Sequence, residues 1–386
     1  MLASRISKIF PSATLAIDAK AKWFKKKGKD VLNLGAGEPD SNTPENIKQA
    51  AKRTIDNNIT RYTPVAGIPE LREAIAKKFQ EQNKISYNAS EVLVTNGGKQ
   101  AIYSIASAIL NEGDEAILPA PYWTSFEEII KLAGANPVFC KTDDKFRVAA
   151  KEIEKKITAK TKMLVLNSPC NPSGAVVPKG EAEKIAEIAL NHNLYILSDE
   201  VYEHFIYGKS RMMSIASLNA DAKRLTITVN SFSKTYAMTG WRIGYCGASK
   251  ELISALENFQ SHASGNISNI SQMAALEALN GPQDSIKEMV RAFDQRRKFM
   301  HKRLNEIPGV RCSEPEGAFY AFPDISDTGM ESMEFSSKLL DEALVAVVPG
   351  TAFGLEGHVR LSYAASMSDI EQAMHRIEKW LKGKTK

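Results

Sequence analysis

The sequence predicts an α/β fold: a mainly parallel central sheet flanked by helices, followed by a smaller α+β domain. Three observations carry that expectation. Between about residue 90 and residue 247, short β-branched runs alternate with stretches of helical period, the pattern of strands joined through crossover helices. Near residue 285 the alternation gives way to a long charged amphipathic stretch and then to mixed strand and helix signals. A chain of 386 residues, at ~100–200 residues per domain, has room for about two domains.

Taken in order, residues 1–44 show no apolar pattern able to build a core alone, and are expected to pack with the C-terminal domain. Strands are predicted at 91–95 (EVLVT), 115–118, 162–167, 194–198, 225–229 and 243–247. A helix is predicted from about Gly98, with others at 124–132 and 179–192. These elements define a large domain over 45–285. A small domain over 286–386 is predicted to hold a helix at 285–304, strands at 317–322 and 345–348, and helices at 333–342 and 368–382.

Composition narrows the function classes. Hydrophobic residues are 43% and charged residues 25%, ordinary for a globular protein. The net charge of +5 gathers in Lys25–Lys27, Lys29, Lys382, Lys384 and Lys386, which read as solvated surface, so no nucleic-acid partner is expected. Cys140, Cys170, Cys246 and Cys312 form no Cys-x-x-Cys pair and fit a reducing compartment. The histidines form no His-x-x-x-His pair, so no metal site is expected. No apolar run approaches the ~20 residues of a membrane span. Arg5, Lys8 and Asp18 interrupt every apolar stretch near the N-terminus, so no secretory signal is read there and a cytoplasmic location is expected.

Several motifs fail. Gly35-Ala36-Gly37 lacks the third glycine of a dinucleotide fingerprint, and Pro39 intrudes. Gly98-Lys99 has Leu93 where a P-loop needs its first glycine and Gln100 where it needs Ser or Thr. His204, beside Glu203, reads as an ordinary helix residue. Ser231-Phe232-Ser233-Lys234 matches the Ser-x-x-Lys of serine acyl enzymes, and Ser264-Gly265-Asn266 supplies a Ser-x-Asn. No Lys-Thr-Gly or Lys-Ser-Gly follows, so this reading is a competitor only.

Other motifs agree with one another. Open α/β sheets bind ligands past the carboxyl ends of their strands. There the chain carries Asn96-Gly97-Gly98-Lys99-Gln100, Ala120-Pro121-Tyr122-Trp123, the loop from Asn167 to Gly174, Ser198-Asp199-Glu200-Val201-Tyr202, and the run from Asn230 through Lys234 to Gly244. Singly, each is compatible with a plain turn or cap. Together they meet the needs of pyridoxal phosphate. The aldehyde requires a lysine amine, Lys234, for a Schiff base, and the ring nitrogen requires a carboxylate, Asp199. Tyr202 and Asn171 suit the phenolic oxygen, and Trp123 suits the ring face. Gly97, Gly98 and Lys99 at a helix start, with Ser231 and Arg242, suit the phosphate.

These residues make the chain resemble the class I pyridoxal phosphate aminotransferases of fold type I, from Pro11-Ser12-Ala13-Thr14 to Arg360-Leu361-Ser362-Tyr363. It is most similar to bacterial aspartate aminotransferases, sharing Gly37-Glu38-Pro39-Asp40, Arg61-Tyr62-Thr63-Pro64 and Met238-Thr239-Gly240-Trp241-Arg242. The resemblance implies that Lys234 also serves as proton-transfer base. It implies that Arg360 clamps the substrate α-carboxylate and that Gly37 leaves room for it. Tyr62 would reach the phosphate of a neighbouring subunit in a homodimer. Lys99, with Thr14, would read the distal carboxylate of aspartate or glutamate.

The activity this implies is amino transfer from L-aspartate to 2-oxoglutarate, with small amino and oxo acids as partners. An aspartate/glutamate–prephenate or broader aminotransferase is the alternative. Phe10 stands where several prephenate-using relatives carry a basic residue. A non-catalytic regulator is a third reading, although residues 1–40 hold no helix-turn-helix pattern.

Overall fold

The computed structural model describes residues 6–7, 9–11 and 13–384. Ser12 of the Pro-Ser-Ala-Thr segment, Arg5, Lys8 and Lys386 lie outside them. The strands in chain order are β1 (Leu32–Asn33), β2 (Val92–Thr95), β3 (Glu115–Ala120), β4 (Asn136–Lys141), β5 (Thr161–Asn167), β6 (Tyr195–Asp199), β7 (Thr226–Ser231), β8 (Gly244–Gly247), β9 (Tyr320–Ala321), β10 (Val345–Ala346), β11 (Val348–Pro349) and β12 (Val359–Ser362).

Seven strands form the large sheet in the order β2-β8-β7-β6-β5-β3-β4. All neighbours are parallel except the two contacts of β8. Alternation along the strands splits their side chains between the faces. Met163 and Val165 join one core with Ile102, Ile105, Phe126, Ile253 and Leu256 from helices Gly98–Ile109, Ser125–Leu132 and Lys250–Ala263. Leu164 and Leu166 join the opposite core with Ile185 and Ala189 of helix Lys179–His192. A sheet covered on both faces needs apolar residues at successive positions, and the MLVL run of β5 supplies them.

A second group of elements packs beside this sheet. β9, β11 and β12 form a three-stranded antiparallel sheet, while β1 pairs in parallel with β10. Helix Asp284–Glu306 presents Met289, Phe293, Met300 and Leu304 to a core shared with Phe319, Tyr320, Leu361 and Ile377. Helix Ala13–Lys26 covers β10 through Ala21 and Phe24.

The structure departs from the expected elements in several places. The run at 345–348 is two short strands in different sheets, because the chain bends between Ala346 and Val348. The predicted strand at 317–322 shrinks to β9. β4 was not predicted; it begins at Asn136-Pro137 and forms the sheet edge, where a residue without N–H is tolerated. His204 lies in a turn rather than a helix.

Candidate active site

The parallel strands deliver their following loops to one edge of the sheet. β2 leads to Gly97, β3 to Trp123, β5 to Asn171, β6 ends on Asp199, and β7 ends on Ser231 just before Lys234. β8 runs the other way, so Arg242, two residues before its first strand position, arrives at the same edge. These loops and the second group of elements enclose a cavity of about 400 Å³. Its wall includes Thr14, Gly37, Gly98, Lys99, Trp123, Asn171, Asp199, Tyr202, Ser231, Lys234, Arg242 and Arg360.

One end of the cavity is built for an anion. Helix Gly98–Ile109 starts there, and its first N–H groups have no acceptor within the helix. Gly97 has φ +82°, and a Cβ on it would lie 2.5 Å from Arg242 Nη2. Glycine therefore lets the guanidinium close over the helix start. Arg242 is oriented by donating to the Thr239 carbonyl at 2.7 Å. The Ser231 hydroxyl donates to Ser233 Oγ (2.8 Å) and the Ile243 carbonyl (3.1 Å), not to the Lys234 amine. A Ser–Lys acyl-enzyme pair is not the arrangement found.

Buried Asp199 and Arg360 and the half-buried Lys234 face the cavity, and among the described residues none of the three has an ion-pair partner. Asp199 is 4% exposed and accepts from the Val201 N–H at 3.2 Å. Burial pushes its carboxyl up to about 7. Lys234 donates to the Gly37 carbonyl at 2.5 Å. Burial, opposed by Glu38 and aided by the positive charges of Arg360 and Arg242, brings its amine down to about 8. Arg360, on β12, donates to Asn171 Oδ1 (2.9 Å) and the Gly35 carbonyl (2.8 Å). Its Nε is buried without a hydrogen-bond partner. A buried guanidinium with an open N–H and no carboxylate beside it is a site for a carboxylate from outside the chain.

The remaining predicted residues fall into place around these groups. A Cβ on Gly37 would come 3.2 Å from Tyr320 Oη and 4.0 Å from Arg360 Nη2, so glycine keeps the face of the guanidinium open. Asn171 is held through its N–H to Asn167 Oδ1 at 2.8 Å, and Asn167 in turn donates to the Asp199 carbonyl. Lys99 places its ammonium 5.1 Å from the Trp123 ring centre; desolvation and Arg242 lower its pKa. Tyr62 alone is not brought to the cavity: it is 97% exposed.

Sequence reasoning missed Tyr320. Its hydroxyl lies 2.9 Å from that of Tyr202, and its ring lies 4.4 Å from the Arg360 guanidinium. It also gave no role to Glu38, which lines the cavity and accepts from Thr239 Oγ1 at 2.8 Å. The Gly317-Ala318-Phe319-Tyr320 strand and the Gly37-Glu38-Pro39-Asp40 motif were the available signals.

Buried unpaired charges at strand ends, an anion cradle and a lysine among them define a group-transfer enzyme of the cofactor-dependent α/β class. The family model for aminotransferase class I and II matches residues 29–377, and the chain belongs to that family. An aspartate aminotransferase from Bacillus sp. (strain YM-2) is 45% identical, with 99% of each chain covered. A probable aspartate/prephenate aminotransferase from Aquifex aeolicus (strain VF5) is also 45% identical, over 98% of each. The solved aspartate aminotransferase from Thermus thermophilus with maleate superposes with a TM-score of 0.95 at 41% identity, covering 98% of this chain and 99% of that one.

The lowered Lys234 value gives a pH test. A depressed amine is neutral, hence nucleophilic, above its own pKa and protonated below it. Labelling of Lys234 in the cofactor-free protein by a small amine-reactive electrophile, followed by peptide mass spectrometry, should rise with pH about a midpoint near 8. A midpoint near 10.5, the ordinary lysine value, would contradict the burial argument.

Proposed function

We propose that the chain is a pyridoxal phosphate-dependent aspartate aminotransferase, moving the amino group of L-aspartate to 2-oxoglutarate. The observation that carries this reading is the cavity lined by Asp199, Lys234 and Arg360, which among the described residues have no ion-pair partners. The residues fit the cofactor. Gly97, Gly98, Lys99, Ser231 and Arg242 form a cradle for its phosphate, Asp199 offers the ring nitrogen a carboxylate, and Trp123 offers an aromatic face. Tyr202 and Asn171 would flank its phenolic oxygen. When bound, pyridoxal phosphate supplies an aldehyde for the amino nitrogen and a protonated ring that withdraws electrons from the reacting carbon.

The chain's own residues do the rest. Asp199, whose burial favours the neutral form, would be held ionised by a positively charged ring nitrogen and would in turn keep that nitrogen protonated. Arg360 binds the substrate α-carboxylate through two N–H groups, a planar pairing that lysine cannot reproduce. Gly37 leaves the space for that carboxylate. Lys234, whose amine is neutral above about 8 in the cofactor-free site, would take the α-proton on Nζ and pass it, on the same face, to the carbon that bore the cofactor's aldehyde. The Gly37 carbonyl supplies a resting acceptor for its amine.

Specificity rests on Lys99, whose ammonium lies over the Trp123 ring, with Thr14 also lining the cavity. The Thermus thermophilus relative was solved with maleate, a dicarboxylate. Phe10 packs under the Lys131 ammonium, 5.2 Å away, and its N–H donates to Glu128. No basic residue is offered at that position for prephenate, so aspartate is the favoured reading over aspartate/prephenate use.

A homodimer completes the proposal. Tyr62 is 97% exposed and accompanied by exposed Ile55 and Ile59, which suits a residue whose hydroxyl serves the phosphate of a second subunit. The division into 1–44, 45–285 and 286–386 is supported by the pairing of β1 with β10 and by the gathering of 317–381 into sheets and a core apart from the seven-stranded sheet. The buried free thiols support a reducing, cytoplasmic setting. Among the described residues no helix is long and apolar enough to cross a membrane.

Three experiments test the proposal. The purified protein with pyridoxal phosphate should show a visible chromophore bleached by L-aspartate. The ratio of kcat/KM for aspartate over alanine should fall by about 30-fold or more in Lys99→Met, since losing one partner of a desolvated charge pair costs ~2–5 kcal/mol. An unchanged ratio would place distal-carboxylate recognition elsewhere. For the shared site, mixing inactive Tyr62→Ala and Lys234→Ala subunits should restore activity, because the mixed dimer contains one intact site. No recovery in mixed dimers would show that Tyr62 does not serve the neighbouring subunit's site.

A further inference from the structure

Beneath the cavity floor lies a buried polar cluster to which the reaction gives no role. Glu200 is fully buried, and the Glu203 side chain is 8% exposed and paired with the equally buried Lys78. Glu203 also accepts from Nδ2 of Asn83 (2.6 Å) and of Asn230 (2.7 Å). Lys78 closes its helix, and the π-turn Phe79–Asn83 that follows carries Asn83 into the cluster. Such turns insert an extra residue and frequently mark functional positions. Desolvating both charges offsets the attraction in a buried ion pair, so this pair is a weak source of stability.

Its geometric consequence is more specific. Asn230 precedes Ser231, and its Oδ1 accepts the Ser231 N–H at 2.8 Å. Its Nδ2, besides binding Glu203, lies 3.3 Å from the carbonyl of Glu200, the residue after Asp199. One side chain thus ties the end of β6 to the end of β7. The carboxylate of Glu200 is anchored separately by the hydroxyls of Ser198 (2.9 Å) and Ser214 (2.5 Å).

We propose that Lys78, Glu203 and Asn230 are positioning residues that set the spacing between Asp199 and Ser231, so that both meet one molecule of pyridoxal phosphate. This rests on the roles given above to Asp199 and Ser231. None of the three lines the cavity, so each acts through its neighbours.

The test titrates apoprotein with pyridoxal phosphate and records the visible circular dichroism of the bound cofactor, with urea unfolding of the apoprotein as the fold control. Asn230→Ala should weaken cofactor binding about tenfold, the scale of one lost hydrogen bond to a charged group. It should alter the dichroism and leave the unfolding transition in place. Asp199→Ala is measured alongside. If Asn230→Ala does not fold, the double variant Lys78→Met/Glu203→Met, which removes the ion pair as a unit, carries the same expectation. Wild-type affinity and dichroism in the folded variant overturn the proposal, as does failure of both variants to fold. If Asp199→Ala also binds like wild type, the assignment of the cofactor site itself falls.

Discussion

Three charged side chains that line the cavity without ion-pair partners among the described residues, Asp199, Lys234 and Arg360, are the constraint around which this molecule is arranged. Each would lower its energy in water or beside an opposite charge. The chain instead holds them apart with neutral hydrogen bonds: Asp199 to a backbone N–H, Lys234 to a carbonyl, Arg360 to an amide and a carbonyl. What remains unsatisfied is complementary to a ligand that brings a cationic ring and a carboxylate. Burial of this kind also moves the Asp199 and Lys234 values toward neutrality, where a proton can be exchanged readily.

No single element could hold all three. Asp199 and Lys234 come from adjacent strand ends of the seven-stranded sheet, Arg360 from the middle strand of the three-stranded sheet. The two groups of elements meet through Arg360 with Asn171, Tyr202 with Tyr320, and Lys234 with Gly37. The loop from Gly37 onward is itself bound to the 237–242 segment, by Glu38 to Thr239 and by Thr43 to the Ala237 carbonyl and the Trp241 indole. The loops that would hold the cofactor and those that would hold the substrate are therefore one connected structure. Displacing either sheet would alter both sets of contacts.

Much of this was legible in the sequence because strand ends are punctuated locally. Glycines at Gly97-Gly98, prolines around Asn171 and the small residues around Lys234 mark positions where the backbone must turn, so the polar residues beside them stand out. Features set by long-range packing were not legible. β4 carries a proline and lies at an edge with little alternation in burial. The run at 345–348 looks like one strand, although its halves pair with Leu32–Asn33 and with β12. Tyr320 gains its place only when its hydroxyl meets that of Tyr202, 118 positions away. Lys78, Glu203 and Asn230 lie on three distant segments, and nothing in any one of them signals a buried cluster.

The claim that the buried charges await a ligand's charges is tested most directly at Arg360, whose partner would be a carboxylate and nothing else. The measurement is the dissociation constant of maleate from the cofactor-loaded protein, read by spectral titration in wild type and in Arg360→Lys. Lysine keeps the positive charge but not the paired, planar N–H groups, and binding should weaken by about a hundredfold. Equal affinity within about twofold, judged against the tenfold that each 1.4 kcal/mol represents, would show that the carboxylate is held elsewhere and contradict the account.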